Sequence, residues 1–150
     1  MTKADIHPTH PDDIPGLQQV LHETDLFPPN LLPDLLAQGG ADIWLSCHVN
    51  GAAVGLGLTA PDPMTDGTWI MRALPVRPEV QGQGLGAALA AASEDRLRSL
   101  GARLQILDTS GTDAFTATRA FYVAQSYERE ARIRNFWAGG DDMVTFRKRL

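Results

Sequence analysis

Cysteine is almost missing from this chain. The one thiol, Cys47, excludes an internal disulfide and fits a reducing compartment. No His/Cys cluster has zinc spacing. Positive charge is also short, with 13 Lys and Arg against 18 Asp and Glu and a formal net charge of −5. That balance argues against a nucleic-acid partner, which needs a basic face. It would tolerate a cationic substrate. No apolar run is long enough to span a bilayer, and the segment MTKADIHPTHPDD has no apolar signal core. These absences together predict a soluble, cytoplasmic protein with no membrane partner. Internal repeats and low-complexity tracts are lacking as well.

What remains is a chain of 150 residues with 43% hydrophobic side chains, enough for one domain (1–150) with its own core. Residues 12–24 are predicted as a helix, with Ile14, Leu17, Val20 and Leu21 on one face. Residues 30–38 form a second short helix that Gly39-Gly40 stops. The period then shortens. Residues 43–49 and 52–59 are strands joined by Asn50-Gly51, the pair that suits a type I′ hairpin turn. Residues 68–74 read as a strand that ends at Pro75, and residues 84–100 as a helix closed by Gly101. A strand at 103–107, a helix at 113–124 capped by Thr112 or Asp113, and strands at 127–133 and 143–147 complete a mixed α/β domain.

The chemistry concentrates in Gln81-Gly82-Gln83-Gly84-Leu85-Gly86, which runs directly into the Ala-rich helix. The first N–H groups of a helix have no internal partner and carry the positive end of its dipole. Glycines let a diphosphate reach those groups without Cβ interference. The plain alternative, a flexible turn, leaves the entropic cost of three glycines unexplained. Gly82, Gly84 and Ala87 also match the dinucleotide pattern G-x-G-x-x-A. Asp108 lies roughly 20 residues beyond, where a ribose-binding acid would stand. A dinucleotide loop, however, is fed directly by its strand, whereas here Arg77-Pro78-Glu79-Val80 intervenes.

The segment from Leu74 to Gly86 resembles the acyl-CoA-binding motif of the GNAT superfamily of N-acetyltransferases, with Gln81, Gly84 and Gly86 at its core positions. Arg119-Ala120-Phe121-Tyr122 is similar to the family's second hallmark, a tyrosine helix followed at once by a strand. The order of elements matches through all 150 residues. The resemblance implies a central, mostly antiparallel twisted sheet, splayed between two parallel strands and flanked by four helices. It implies acetyl-CoA as co-substrate, with pantetheine between the strands 68–76 and 103–108. Leu74 and Val76 would pair with its amides, and Gln81, Gly82, Gln83, Gly84, Leu85, Gly86 and Ala87 would hold the pyrophosphate. The implied reaction is direct attack of an amine on the thioester in a ternary complex, with Tyr122 protonating the leaving thiolate. Tyr122 read only as a core aromatic is the alternative.

Two departures from the family pattern stand out. Many members carry a glutamate on the strand before the loop, and Trp69-Ile70-Met71-Arg72-Ala73-Leu74 has no carboxylate. Glu23, Asp25 and Asp108 are the remaining candidates for a base, beside a water relay; each is equally readable as a loop or turn acid. Ser126 stands where the family usually has a left-handed glycine, at a cost of about 1 kcal/mol.

His7 and His10 are spaced to share a metal but lie in a Pro-rich, mobile segment. His22 and His48 read as surface or half-buried, so no metal is expected. Trp44 and Trp69 read as core. Phe136-Trp137 could line an acceptor pocket, form a dimer contact or pack in the core. The partner expected is a small-molecule or peptide amine, and a homodimer through the C-terminal strands is an analogy with relatives. A second function from another class is a non-catalytic acyl-CoA sensor or assembly module. A nucleotide-binding oxidoreductase is the third.

Overall fold

A computed structural model describes residues 3–150. Seven strands form one sheet in the order β1-β2-β3-β4-β5-β7-β6. They are β1 (Asp5–Pro8), β2 (Ile43–Val49), β3 (Ala52–Pro61), β4 (Thr68–Ala73), β5 (Leu104–Ser110), β6 (Glu128–Ala138) and β7 (Asp141–Arg149). Four α-helices flank the sheet: α1 (Ile14–Thr24), α2 (Leu32–Ala37), α3 (Leu85–Ser99) and α4 (Thr116–Ala124). The β4–β5 pair is parallel, and the other neighbours are antiparallel. The mixed, mostly antiparallel sheet with four helices is the fold the sequence implied.

The β2–β3 hairpin turns at Asn50 and Gly51, both at positive φ (51° and 80°), the geometry a type I′ turn demands. Successive residues of a strand face opposite sides, and β3 uses this to carry two helix layers. Ala53 packs with Leu17, Leu21 and Leu32, while Val54 packs with Leu85 and Leu89. Leu17, Val20 and Leu21 are fully buried, and each such side chain stabilises by about 1.5–3 kcal/mol. Helix α1 lies so close to β3 that a Cβ on Gly16 would come within 2.8 Å of Ala53 Cβ.

The inward face of α3 is more polar than the apolar side expected from Leu85, Leu89, Ala92, Leu97 and Leu100. Leu100 is half exposed, whereas Ser93 and Glu94 are buried. Lys148 Nζ lies 2.7 Å from Glu94 Oε1, and the Tyr127 hydroxyl lies 3.1 Å from Glu94 Oε2. A buried carboxylate needs such partners, and they clamp α3 to the C-terminal strand. Burial, followed by the Glu94 charge, pushes the Tyr127 phenol well above its usual range.

The N-terminal segment departs from expectation. It is not a mobile tail: residues 5–8 add an edge strand antiparallel to β2, with Ile6 opposite Cys47 and His7 opposite Ser46. A four-residue strand ending in proline gives too weak a periodic signal to be read locally. At the opposite edge, β6 runs longer than predicted and is exposed along its length. Among the described residues, no helix is long and apolar enough to cross a membrane.

Candidate active site: a split sheet between two clefts

The parallel ladder between β4 and β5 is short. It pairs Thr68 with Leu104, Trp69 with Gln105 and Ile70 with Ile106, and then the strands separate. Beyond Ala73 the chain stays with β3: Leu56 N–H donates to Pro75 O (3.1 Å) and Arg77 N–H donates to Val54 O (2.8 Å). Strand β5 instead remains paired with β7 through Ser110. The sheet is therefore forked, and edge backbone groups near Leu74 and Val76 face the opening. Pro75, with no N–H to offer, sits where the strand leaves its former neighbour.

Helix α4 closes the fork. Arg119 Nη1 donates to Ser110 O (2.7 Å) and Thr112 O (2.8 Å), which pins the start of the helix to the end of β5. One turn later Tyr122 packs with Met71 and Leu107, between the diverging strands. Its hydroxyl lies 3.9 Å from Met71 Sδ, a weak acceptor. Burial pushes the phenol up to about 12, so it keeps its proton at every working pH. A buried hydroxyl with so poor a partner is unusual for a residue that serves only the core.

Two clefts open on either side. One, of about 610 Å³, is lined by Leu74, Val76, Gln81, Gly82, Gly84, Leu85, Gly86 and Ala87 together with α4 residues including Phe121 and Tyr122. These are the residues proposed for the cofactor, except Gln83, which lies outside the lining. Gly82 and Gly84 adopt φ of 82° and 79°, and a Cβ on either would meet nothing within 4 Å. The left-handed backbone calls for glycine there, and the open space beyond suits a ligand against the backbone. Gly84 caps α3 with no side-chain bond, so the helix presents its first N–H groups to the cleft. Gln81 turns inward, its Nε2 donating to Val76 O at 2.9 Å, and ties the loop to the strand it leaves.

The second cleft, of about 570 Å³, lies across Tyr122 and is bordered by Thr24, Leu26, Arg72, Asp108, Trp137 and Asp141. Asp108 is exposed and accepts a bond from Thr145 Oγ1 (2.6 Å). Asp141 accepts one from Ser110 Oγ (2.5 Å). Trp137 is fixed by Nε1 donating to Thr109 O at 3.3 Å, which places its ring on this cleft. Glu23 does not border it; the carboxylate is engaged by Arg77 at 2.6 Å. Asp25, in left-handed conformation (φ 52°), ends α1. Arg119 stands in the tyrosine motif, but the sequence did not single out its side chain; for Met71 and Asp141 it offered no signal, because their roles depend on neighbours 51 and 31 residues away.

A split sheet with a glycine-rich helix start on one side and a tyrosine at the fork narrows the comparison. The sequence profile of the acetyltransferase (GNAT) family matches residues 11–127. The chain belongs to the GNAT family. Membership carries acetyl-CoA-dependent acyl transfer as the general activity. Among solved structures, a GNAT-family protein from Desulfovibrio desulfuricans is similar at 27% identity and a TM-score of 0.89, with 98% of this chain and 99% of that one covered. The ribosomal-protein-S18-alanine N-acetyltransferase of Escherichia coli shares the fold at 20% identity and a TM-score of 0.83, over 98% and 94% of the two chains. So does a Salmonella typhimurium protein solved with acetyl-CoA, at 16% identity and a TM-score of 0.80, over 99% and 94%. No curated protein matches the sequence.

This GNAT member keeps the loop and the tyrosine but departs where expected. Ser126, in place of the usual glycine, takes the left-handed φ of 69° itself. The N–H groups at the start of α3 and the open space at Gly82 and Gly84 fit a pyrophosphate.

Proposed function

We propose that this protein transfers the acetyl group of acetyl-CoA to a primary amine by direct attack in a ternary complex. The observation that carries the reading is the position of Tyr122 on the shared wall of the two clefts. The glycine loop holds the pyrophosphate, and the edge groups near Leu74 and Val76 guide the pantetheine into the fork. Acetyl-CoA supplies the activated thioester. The amine enters past Trp137 and attacks the carbonyl carbon as the C–S bond breaks.

The phenol of Tyr122, near 12, faces a thiol with a pKa of about 8.5. It acts as a hydrogen-bond donor to the developing thiolate and steadies the negative charge where it forms. The net proton on sulfur comes from the amine. Asp108 borders the acceptor cleft and is the carboxylate best placed to relay that proton through water. Glu23 is a positioning residue: through Arg77 it fixes the chain that leads into the loop. The carboxylates of Asp108 and Asp141, with Arg72 as the nearby cation, suit a cationic amine on a small molecule or a peptide.

Thiol release from acetyl-CoA in the presence of amines, amino acids and peptides tests the proposal. Acceptor-dependent release with N-acetylated product supports it. Tight CoA binding with no release for any acceptor, and no effect of Tyr122→Phe, would leave an acyl-CoA sensor.

A further inference from the structure

The edge strand that the sequence concealed brings together a cluster far from the fork. His7 on β1, His48 on β2 and Asp13 at the start of α1 place one ligand atom each within 4.8 Å of the others. His7 Nε2 lies 3.2 Å from Asp13 Oδ2, and His48 Nε2 lies 3.4 Å from Asp13 Oδ1. The two imidazoles are stacked, 4.9 Å apart at 18°, so both offer the same edge to one carboxylate. Three different elements supply the three groups, which is why spacing along the chain did not reveal them.

The donors converge from both sides of one carboxylate. His7 meets Asp13 through Nε2, while Asp5 stands 3.7 Å from the far nitrogen, Nδ1, too distant for a direct hydrogen bond. His48 Nδ1 is buried with no hydrogen-bond partner, so the protein does not lock that ring's tautomer and Nε2 is free to present its lone pair. Asp13 is itself held in place, with His10 N–H donating to Oδ2 at 2.8 Å and Ser46 Oγ donating at 3.3 Å.

We propose that His7, Asp13 and His48 form a binding site for a divalent transition-metal ion, best matched by zinc. Two imidazoles and a carboxylate are a zinc donor set, and separations of 3.2–3.4 Å between donor atoms suit bonds of about 2.0–2.2 Å to a shared ion. Asp5, 3.7 Å behind His7 Nδ1, is the carboxylate placed to orient that ring once a metal occupies Nε2. The side chains are 11–27% exposed, which leaves room for entry and for water at the fourth position. The ion staples β1 to β2 and to the start of α1. The opposite end of α1 carries Glu23 and Thr24, so the metal stabilises the frame of the acceptor cleft without entering it.

Calorimetric titration of the untagged, metal-stripped protein with Zn²⁺ tests this, alongside thermal melting and Co²⁺ absorption. The expected result is one equivalent of Zn²⁺ bound, a higher Tm and a tetrahedral Co²⁺ spectrum. Binding is lost in Asp13→Asn and His48→Ala, retained in His10→Ala, and weakened about 10-fold or more in Asp5→Asn. In the unaltered protein, Zn²⁺ shifts the imidazole NMR signals of His7 and His48 and leaves that of His22, a readout independent of whether the variants fold. Absence of Zn²⁺ binding, or binding that survives both ligand variants, overturns the proposal and leaves a histidine–aspartate contact that only joins the strands to α1.

Discussion

Arg77 Nε lies 2.6 Å from Glu23 Oε2, and Arg77 Nη2 donates to Glu23 Oε1 at 3.2 Å. This two-point contact ties the last turn of α1 to the chain that enters the glycine loop, 54 residues away in sequence. Only the Nη2 contact has hydrogen-bond alignment, since Nε and Oε2 are close without it; the opposite charges strengthen that bond. Glu23→Gln is therefore expected to raise KM for acetyl-CoA and to lower stability by about 1 kcal/mol, with kcat within a factor of about two. A steady-state comparison checks it. A collapse of kcat with an unchanged KM would make Glu23 the base instead.

Tyr122→Phe removes a hydroxyl whose neighbour is a thioether sulfur. Thermal stability at neutral pH is expected to stay within about 1 kcal/mol of the parent. The rate of thiol release should fall by about 100-fold or more, the scale of a lost proton-directing group. An unaltered rate would return Tyr122 to the core.

The same phenol predicts an alkaline limb. Its pKa is about 12 in the folded chain and about 10 when unfolded. The folded state thus holds the proton more tightly. The associated stability is complete below pH ~10 and is lost as pH rises towards 12, up to roughly 2–3 kcal/mol. Tyr127, also pushed upward, acts in the same direction. Urea midpoints measured at pH 8 and pH 11 should drop less in Tyr122→Phe than in the parent.

Gly84→Ala places a Cβ at φ 79° where nothing crowds it. Its cost is backbone strain, about 1–2 kcal/mol, together with a methyl group in the open cleft proposed for the pyrophosphate. Weaker CoA binding in calorimetry is expected, with a modest fall in Tm. Unchanged affinity would move the phosphate site elsewhere.

Ser126 points the other way. It holds φ 69° just beyond α4, and its N–H donates to Val123 O at 3.0 Å. Ser126→Gly relieves the strain and should raise stability by about 0.5–1 kcal/mol after glycine's own entropy is counted. Chemical denaturation measures this directly, and a destabilised variant would show that the serine side chain serves another purpose.

Much of the architecture could be read from local pattern. Asn50-Gly51 fixed a hairpin because few other pairs tolerate that turn, and the glycine run marked a helix start because its backbone demands are local. The apolar face of α1 announced itself by period. The short edge strand did not, since four residues ending in proline have no period to display and gain their order from pairing with β2. Nor could local pattern find the polar inward face of α3, where Glu94 is buried only because Lys148 and Tyr127 come to meet it.

The sequence by itself determined the family, the glycine-rich helix start and the tyrosine helix, because each rests on residues adjacent along the chain. Tertiary structure decided what the isolated ionisable groups do. It turned Glu23 towards Arg77, set Trp137 and Asp141 on the cleft beyond Tyr122, and brought His7, Asp13 and His48 to one point. A carboxylate or imidazole acquires its role from whatever charge or donor lies within a few ångströms of it. For these residues, that neighbour comes from a distant element brought close only when the sheet is assembled.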